Sequence, residues 1–346
     1  MTFLAIYEEG VPRTVGSART MTQNLRGKTV PMKGIAQVAS HPQARRKGHV
    51  RLIMNRFFEF FHEDNIPVSC LYPFKESFYE NMGYVTLPQT RKITFKPETL
   101  APVMKMDLPG QVELLRFGEG YAEFRTFLKE LQQAIHGMSL FAQTSEPEPE
   151  DHSSWLAFAR RDGEAIGVLQ YVLRGDAMDQ TLRAFDFLYS EPLGKFLLLD
   201  WIARHQDQAA EVELVLKPDI QGELLFTNIC PEQGTLFHAP MGRVTTIPAL
   251  SGLPVGESEI TVRITDPNAP WNEGAWRLRS EDGLLIVESG DRAECELSIH
   301  GLTALVYGVY NPREFQYRGW GNPSDEQAVR LLRLFPPKSP FMLALF

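Results

Sequence analysis

At 346 residues the chain exceeds one average hydrophobic core, so more than one domain is expected. With 43% hydrophobic and 23% charged residues and no long low-complexity block, it belongs to the ordinary globular class and not to the disordered or fibrous ones. A net charge of −8 argues against nucleic acid and for cationic partners, and no stretch of about eighteen apolar residues is available for a membrane span.

In chain order, "FLAIYEEG" (3–10) and "SARTMTQNLRGK" (17–28) read as an antiparallel pair, and "KGIAQVAS" (33–40) as a third strand stopped by Pro42. A helix is predicted from 46 to 62, because Val50, Ile53, Met54, Phe57, Phe58 and Phe61 recur on one helical face while Asn55, Arg56 and Glu59 face water. "PVSCLY" (67–72) follows as a buried strand, and a short helix around "KESFYENMG" ends where Gly83 can cap it. The same grammar returns from about 90 to 235. A strand at 111–117 leads to a helix at 121–135, then to three strands and a helix at 191–208 with Ser190 as its N-cap, and last to a strand at 211–216. The acidic, proline-containing "TSEPEPEDHSS" (144–154) reads as a surface loop.

From about 236 the pattern changes to strands followed by short helices, with Ser324 and Gln327 placed as a capping box before "DEQAVRLLRLF" and Pro336-Pro337 as its stop. The chain ends on "PFMLALF", whose large side chains would cost about 1.5–3 kcal/mol each if left in water, so the tail is expected to dock. The fold class is therefore mixed α/β followed by α+β, with domains expected at 1–88, 89–235 and 236–346. Three cysteines, Cys70, Cys230 and Cys295, without a CxxC pair give no disulfide framework and fit a reducing cytoplasm. Eight scattered histidines without HExxH give no metal site, and no signal peptide is read at the start.

The stretch that carries chemistry is "GIAQVASHPQARRKGHVRLIMNRFFEFF", in which a small-residue strand runs into Arg45-Arg46-Lys47-Gly48 and then an amphipathic helix. A helix start offers unpaired N–H groups and about half a positive charge, and a glycine there lets an anion approach. Arg46, Lys47 and Arg51 add charge-assisted donors, so the turn is suited to phosphate.

With "FYENMGY" about thirty residues on, this arrangement resembles the acetyl-CoA motif of the GNAT N-acetyltransferases, R/Q-x-x-G-x-G/A, here Arg45-Arg46-Lys47-Gly48-His49-Val50 with Val at the last place. The whole chain resembles the Eis-like acetyltransferases through "VASHPQARRKGHVR", "LYPFKESFYENMGY" and the aromatic that follows "FPPKSPFM". That resemblance implies two tandem GNAT-like mixed-sheet domains, the second without cofactor, and a sterol-carrier-like α+β domain after them. "FLYSEPLGKFLL" has no Arg-x-x-Gly cradle, in keeping with a second domain that does not bind CoA. The usual strand and two helices that open a GNAT domain do not precede the strand expected at 3–10, a departure that bears on the acceptor pocket.

Carried over residue by residue, the resemblance implies that the backbone of Val38 and Ser40 meets the pantetheine arm and the thioester carbonyl. Arg46, Lys47, Gly48, His49, Val50 and Arg51, behind the motif's Arg45, would hold the pyrophosphate. Tyr79 would be the general acid, and the α-carboxylate of Phe346 the general base. The expected reaction is acetyl transfer from acetyl-CoA to a primary amine (an aminoglycoside-like, polyamine or lysine acceptor, including protein lysine) by direct attack, without metal. Relatives imply a homo-oligomer, up to a hexamer, with no nucleic acid or membrane partner. The alternative from another class is an inert binding protein that holds an apolar ligand in its sterol-carrier-like domain.

Overall fold

The computed structural model describes residues 1–176, 179–235 and 238–346. Strand β1 (Thr2–Glu8) turns through Glu9-Gly10 into β2 (Val11–Leu25), which turns through Arg26-Gly27 into β3 (Lys28–Ser40). Both residues of each turn have positive φ, the two-residue hairpin geometry whose twist matches that of the flanking strands. Helix α1 (His49–Glu63) then crosses to β4 (Val68–Leu71), which runs parallel to β3, and α2 (Glu76–Glu80) leads to β5 (Val85–Thr86). The chain continues through β6 (Arg91–Phe95), β7 (Gln111–Arg116), α3 (Phe117–Ala134), β8 (Ser139–Phe141), β9 (Trp155–Arg161), β10 (Glu164–Asp176) and β11 (Asp179–Tyr189). Next come α4 (Pro192–Ala203), β12 (Ala209–Leu216), β13 (Glu232–Gly234) and β14 (Met241–Val244). The last stretch holds β15 (Glu259–Thr265), β16 (Gly274–Glu281), β17 (Leu284–Ser289), β18 (Cys295–Ser298), α5 (Ile299–Tyr307), α6 (Phe315–Arg318) and α7 (Asp325–Leu334).

These elements cluster into two units, one made of Met1–Pro88, Gln132–Gln143 and Phe237–Phe346, the other of Gln89–Leu131 and Thr144–Leu236. The junction expected at 235/236 falls on Leu236, outside the described residues.

In the first unit the described residues form a mixed sheet in the order β1-β2-β3-β4-β14-β5, with β8 on β2, and an antiparallel-rich sheet in the order β17-β16-β15-β18. The apolar face read from the sequence is the one α1 buries, with Ile53, Met54, Phe57, Phe58 and Phe61 packed on Ala18, Ile35, Leu71 and Tyr84. The helix begins at His49 and not at 46, because Arg46 and Gly48 both take left-handed φ, 65° and 83°. Strand β14, far down the chain, inserts antiparallel between β4 and β5. Its fully buried Arg243 donates from Nη2 to both carboxylate oxygens of Asp266, at 2.7 and 2.8 Å, and lies over the Phe58 ring at 4.2 Å. The capping box of Ser324 with Gln327 is present on α7.

The tail docks in part: Phe341 and Met342 are buried, while Leu345 stays 49% exposed. A Cβ on Gly34 would come within 2.7 Å of the Phe346 ring, which stands edge-on to Tyr72 at 5.7 Å. Phe346 therefore sits beside the point where β3 and β4 part.

In the second unit the order is β13-β6-β12-β11-β10-β9-β7, and α4 joins the parallel pair β11–β12 much as α1 joins β3–β4. Two details differ from expectation. Ser190 is not the N-cap of α4. That place belongs to Glu191, while the Ser190 hydroxyl donates to the Ile166 carbonyl at 3.2 Å. The helix also stops at Ala203, short of 208, since His205 and Gln206 donate to carbonyls three residues back in a tightened turn. A Cβ on Gly194 would lie 2.3 Å from the Ile166 carbonyl oxygen, so this glycine serves close helix-to-strand packing.

Candidate active site

Strand β3 pairs with β4 only from Met32 to Ile35, so its last residues run on along an edge with no β4 partner. The opening begins at a local irregularity. Val15 pairs with Ala39 but Ser17 pairs with Ala36, and the extra residue Gln37 takes φ 54°. The Ser17 hydroxyl holds this bulge, bonding the Ala36 carbonyl at 3.1 Å and the Gln37 side chain at 3.0 Å.

A cleft of about 870 Å³ lies beside this edge, lined by Val38, Ser40, Arg45, Arg46, Gly48, His49, Val50 and Arg51, and closed by Phe74, Phe78, Asn81 and Met82. Eight of the nine residues expected around the cosubstrate thus converge on one cavity. At one end of the cleft the N-terminus of α1 has no side-chain cap and no acidic residue in its first turn, so its N–H groups and dipole are available to an anion. A Cβ on Gly48 would meet nothing within 4 Å, which leaves open space over those groups for a ligand, and φ of 83° explains why glycine occupies the position.

The ninth residue, Lys47, is placed differently. Its ammonium bonds both oxygens of Glu8 at 2.9 and 3.0 Å, outside the cleft lining. Glu8 is held below the usual carboxylate range chiefly by the Lys47 hydrogen bond. His49 lies between Glu8, 3.5 Å from Nε2, and the Thr14 hydroxyl, 3.3 Å from Nδ1. Thr14 in turn donates to Ser40 at 3.1 Å. Sequence reasoning missed Glu8 and Thr14, since only the β1–β2 hairpin brings them beside the motif.

Tyr79 lies on α2 just behind the lining, buried and packed edge-on against Phe74 and Phe78. Burial pushes its phenol up to about 12. Tyr84 is structural, fully buried with its hydroxyl 2.8 Å from Ser69. Cys70 is buried on β4 with its thiol pushed up to about 12 by burial, which removes it as a nucleophile at neutral pH. Among the described residues no helix is long and apolar enough to cross a membrane, and no group of three or more His, Cys, Asp or Glu is placed to hold a metal ion.

Residues 3–87 match the family described as the acetyltransferase (GNAT) domain, and residues 247–343 match the sterol carrier protein domain. No curated protein sequence matches the chain. Among solved structures, a GCN5-related N-acetyltransferase from Anabaena variabilis superposes with a TM-score of 0.84 at 20% identity, covering 99% of this chain and 89% of that one. A GCN5-related N-acetyltransferase from Kribbella flavida gives 0.83 at 21% identity, over 99% and 87%. Eis1 from Mycobacterium abscessus gives 0.80 at 15% identity, over 99% and 90%. With the cleft built from the motif residues and both terminal regions matched, the chain carries an acetyltransferase (GNAT) domain over residues 3–87, which makes it an acetyl-CoA-dependent acetyltransferase, and a sterol carrier protein domain over 247–343, and it shares the fold of Eis1.

Proposed function

We propose that the chain transfers an acetyl group from acetyl-CoA to a primary amine on a cationic acceptor, a small polyamine-like or aminoglycoside-like molecule or a protein lysine, by direct attack in a ternary complex. The observation that carries this reading is the single cleft in which an uncapped helix start with Arg45, Arg46 and Arg51 meets the unpaired edge of β3 at Val38 and Ser40. The first can hold a pyrophosphate; the second can hold an extended amide-bearing arm and polarise a carbonyl. The acceptor's neutral nitrogen would form a bond to the thioester carbon, and the C–S bond would break. The α-carboxylate of Phe346 would take the proton released by nitrogen, and the Tyr79 hydroxyl would give one to the departing sulfur, so the products are an amide and a free thiol.

A phenol at about 12 gives its proton uphill to a thiolate whose conjugate acid lies near 8.5, a cost of about 5 kcal/mol. Tyr79 therefore serves through position, with transfer coupled to C–S cleavage, and a desolvated hydroxyl is kept neutral for that step at any physiological pH. The net charge of −8 favours encounter with cationic acceptors. On this reading the enzyme works in the reducing cytoplasm, as a homo-oligomer up to a hexamer, without metal, nucleic acid or membrane.

CoA release from acetyl-CoA, measured with a panel of aminoglycosides, polyamines and lysine peptides, tests it. Tyr79→Phe is expected to lower kcat by about 100-fold or more with acetyl-CoA binding retained, and one glycine added after Phe346 to do likewise. Undiminished turnover in either variant removes that residue from the chemistry.

A further inference from the structure

Helix α2 carries Tyr79 just behind the cleft lining, yet five residues cannot hold a helix in place by themselves, and its N-cap Lys75 supplies no side-chain hydrogen bond. What holds it comes from far along the chain. The carbonyls at its C-terminal end are taken in turn by three side chains of the C-terminal part of the same unit. His300 donates from Nε2 to Glu80 at 2.6 Å, Asn268 donates to Asn81 at 3.3 Å, and Arg243 donates to Met82.

Two of the donors are themselves fixed. The His300 Nδ1 faces the Ser298 hydroxyl at 3.2 Å, and its ring stacks on Trp320 at 5.7 Å. Because Nε2 carries the hydrogen to a carbonyl, Nδ1 is left to accept from Ser298. Arg243 is locked by its two bonds to Asp266 and packs so closely under the turn that a Cβ on Gly83 would lie 2.0 Å from it.

We propose that this triple clamp makes His300, Asn268 and Arg243 positioning residues for acetyl transfer: the sterol carrier domain and the strand before it set where the Tyr79 hydroxyl stands. This rests on Tyr79 acting as the acid. It gives the C-terminal domain a role in the reaction that needs no ligand of its own.

The test uses the full chain carrying His300→Ala, His300→Gln, Tyr79→Phe, and His300→Ala together with Tyr79→Phe. Two quantities are read: amide hydrogen exchange over residues 76–83, and kcat with an accepted amine. His300→Ala should speed exchange in that segment by about tenfold with α1 and β4 unchanged, and lower kcat by about tenfold. His300→Gln, which keeps an N–H donor, should recover most of both. In the Tyr79→Phe background the His300→Ala effect on kcat should shrink below about twofold, since a residue acting through Tyr79 has nothing left to place. Unchanged exchange in His300→Ala, beside an impaired Tyr79→Phe, overturns the clamp alone. An undiminished loss in the double variant makes His300 merely structural and overturns the positioning role. A Tyr79→Phe chain that turns over like wild type overturns the acid assignment, and the positioning proposal falls with it.

Discussion

One imidazole joins three stretches of chain in the first unit. His136 accepts at Nδ1 from the Arg26 N–H at 2.9 Å, which leaves Nε2–H to donate to the Tyr307 carbonyl at 3.0 Å. Burial pushes it from 6.5 down to about 4, so it is folded neutral. Between those two values the unfolded chain binds the extra proton and the folded chain does not. The stabilisation is therefore whole above 6.5 and drains away as pH falls toward 4, by about 3 kcal/mol. Urea unfolding at a series of pH values should show that loss in wild type and a flatter profile in His136→Gln; parallel profiles would refute it. Gly34→Ala is a second residue-scale case. The added Cβ would press on the Phe346 ring and the Met21 sulfur, both at 2.7 Å, and displacing the tail should cut kcat by about tenfold while acetyl-CoA binding is kept. Equal turnover would separate the tail from the chemistry. That Arg45, Arg46, Gly48 and Arg51 share one cleft could be read in the sequence because they are neighbours in a turn whose chemistry is local. Pairing of Lys47 with Glu8, 39 residues away, and the seat of Phe346 on Gly34 depend on register and docking, which no short-range pattern encodes.

Among the elements, α1 and α7 were the most legible, one through its apolar face and the other through its capping box. Ser324→Ala removes the bond from the Gln327 N–H and should cost about 1 kcal/mol, read as a lowered midpoint of thermal or urea unfolding; an unchanged midpoint would mean the box adds nothing to the folded chain. The hairpin turns were also written locally, as Glu-Gly, Arg-Gly, Asp162-Gly163 and Asp282-Gly283, each with both residues at positive φ. Strand β14 was not. Four residues of "MGRV" carry no period long enough to read, and their place between β4 and β5 follows from tertiary pairing and from the Arg243–Asp266 pair. Ser190 failed as a cap because a neighbouring strand carbonyl competes for its hydroxyl.

At the scale of the molecule, the acetyltransferase sheet is discontinuous in sequence, since β14 and the donors that clamp α2 arrive after the whole second unit has been made. A chain cut after residue 235 should therefore lack the strand between β4 and β5 and the partners of residues 80–82. It is expected to lose cooperative unfolding and acetyl-CoA binding together, whereas a cooperatively folded, binding-competent fragment would show the sheet to be self-sufficient. Everything proposed for this chain depends on acetyl-CoA lying over the start of α1. Calorimetric titration of acetyl-CoA into wild type and Gly48→Asp tests that most directly, because Asp tolerates the left-handed backbone of that position while placing a negative charge in the cradle. Saturable binding to wild type is expected, with a loss of about 100-fold or more in the variant and an unchanged unfolding midpoint. Equal affinity in both chains, or binding to neither, would mean that acetyl-CoA does not lie over the start of α1.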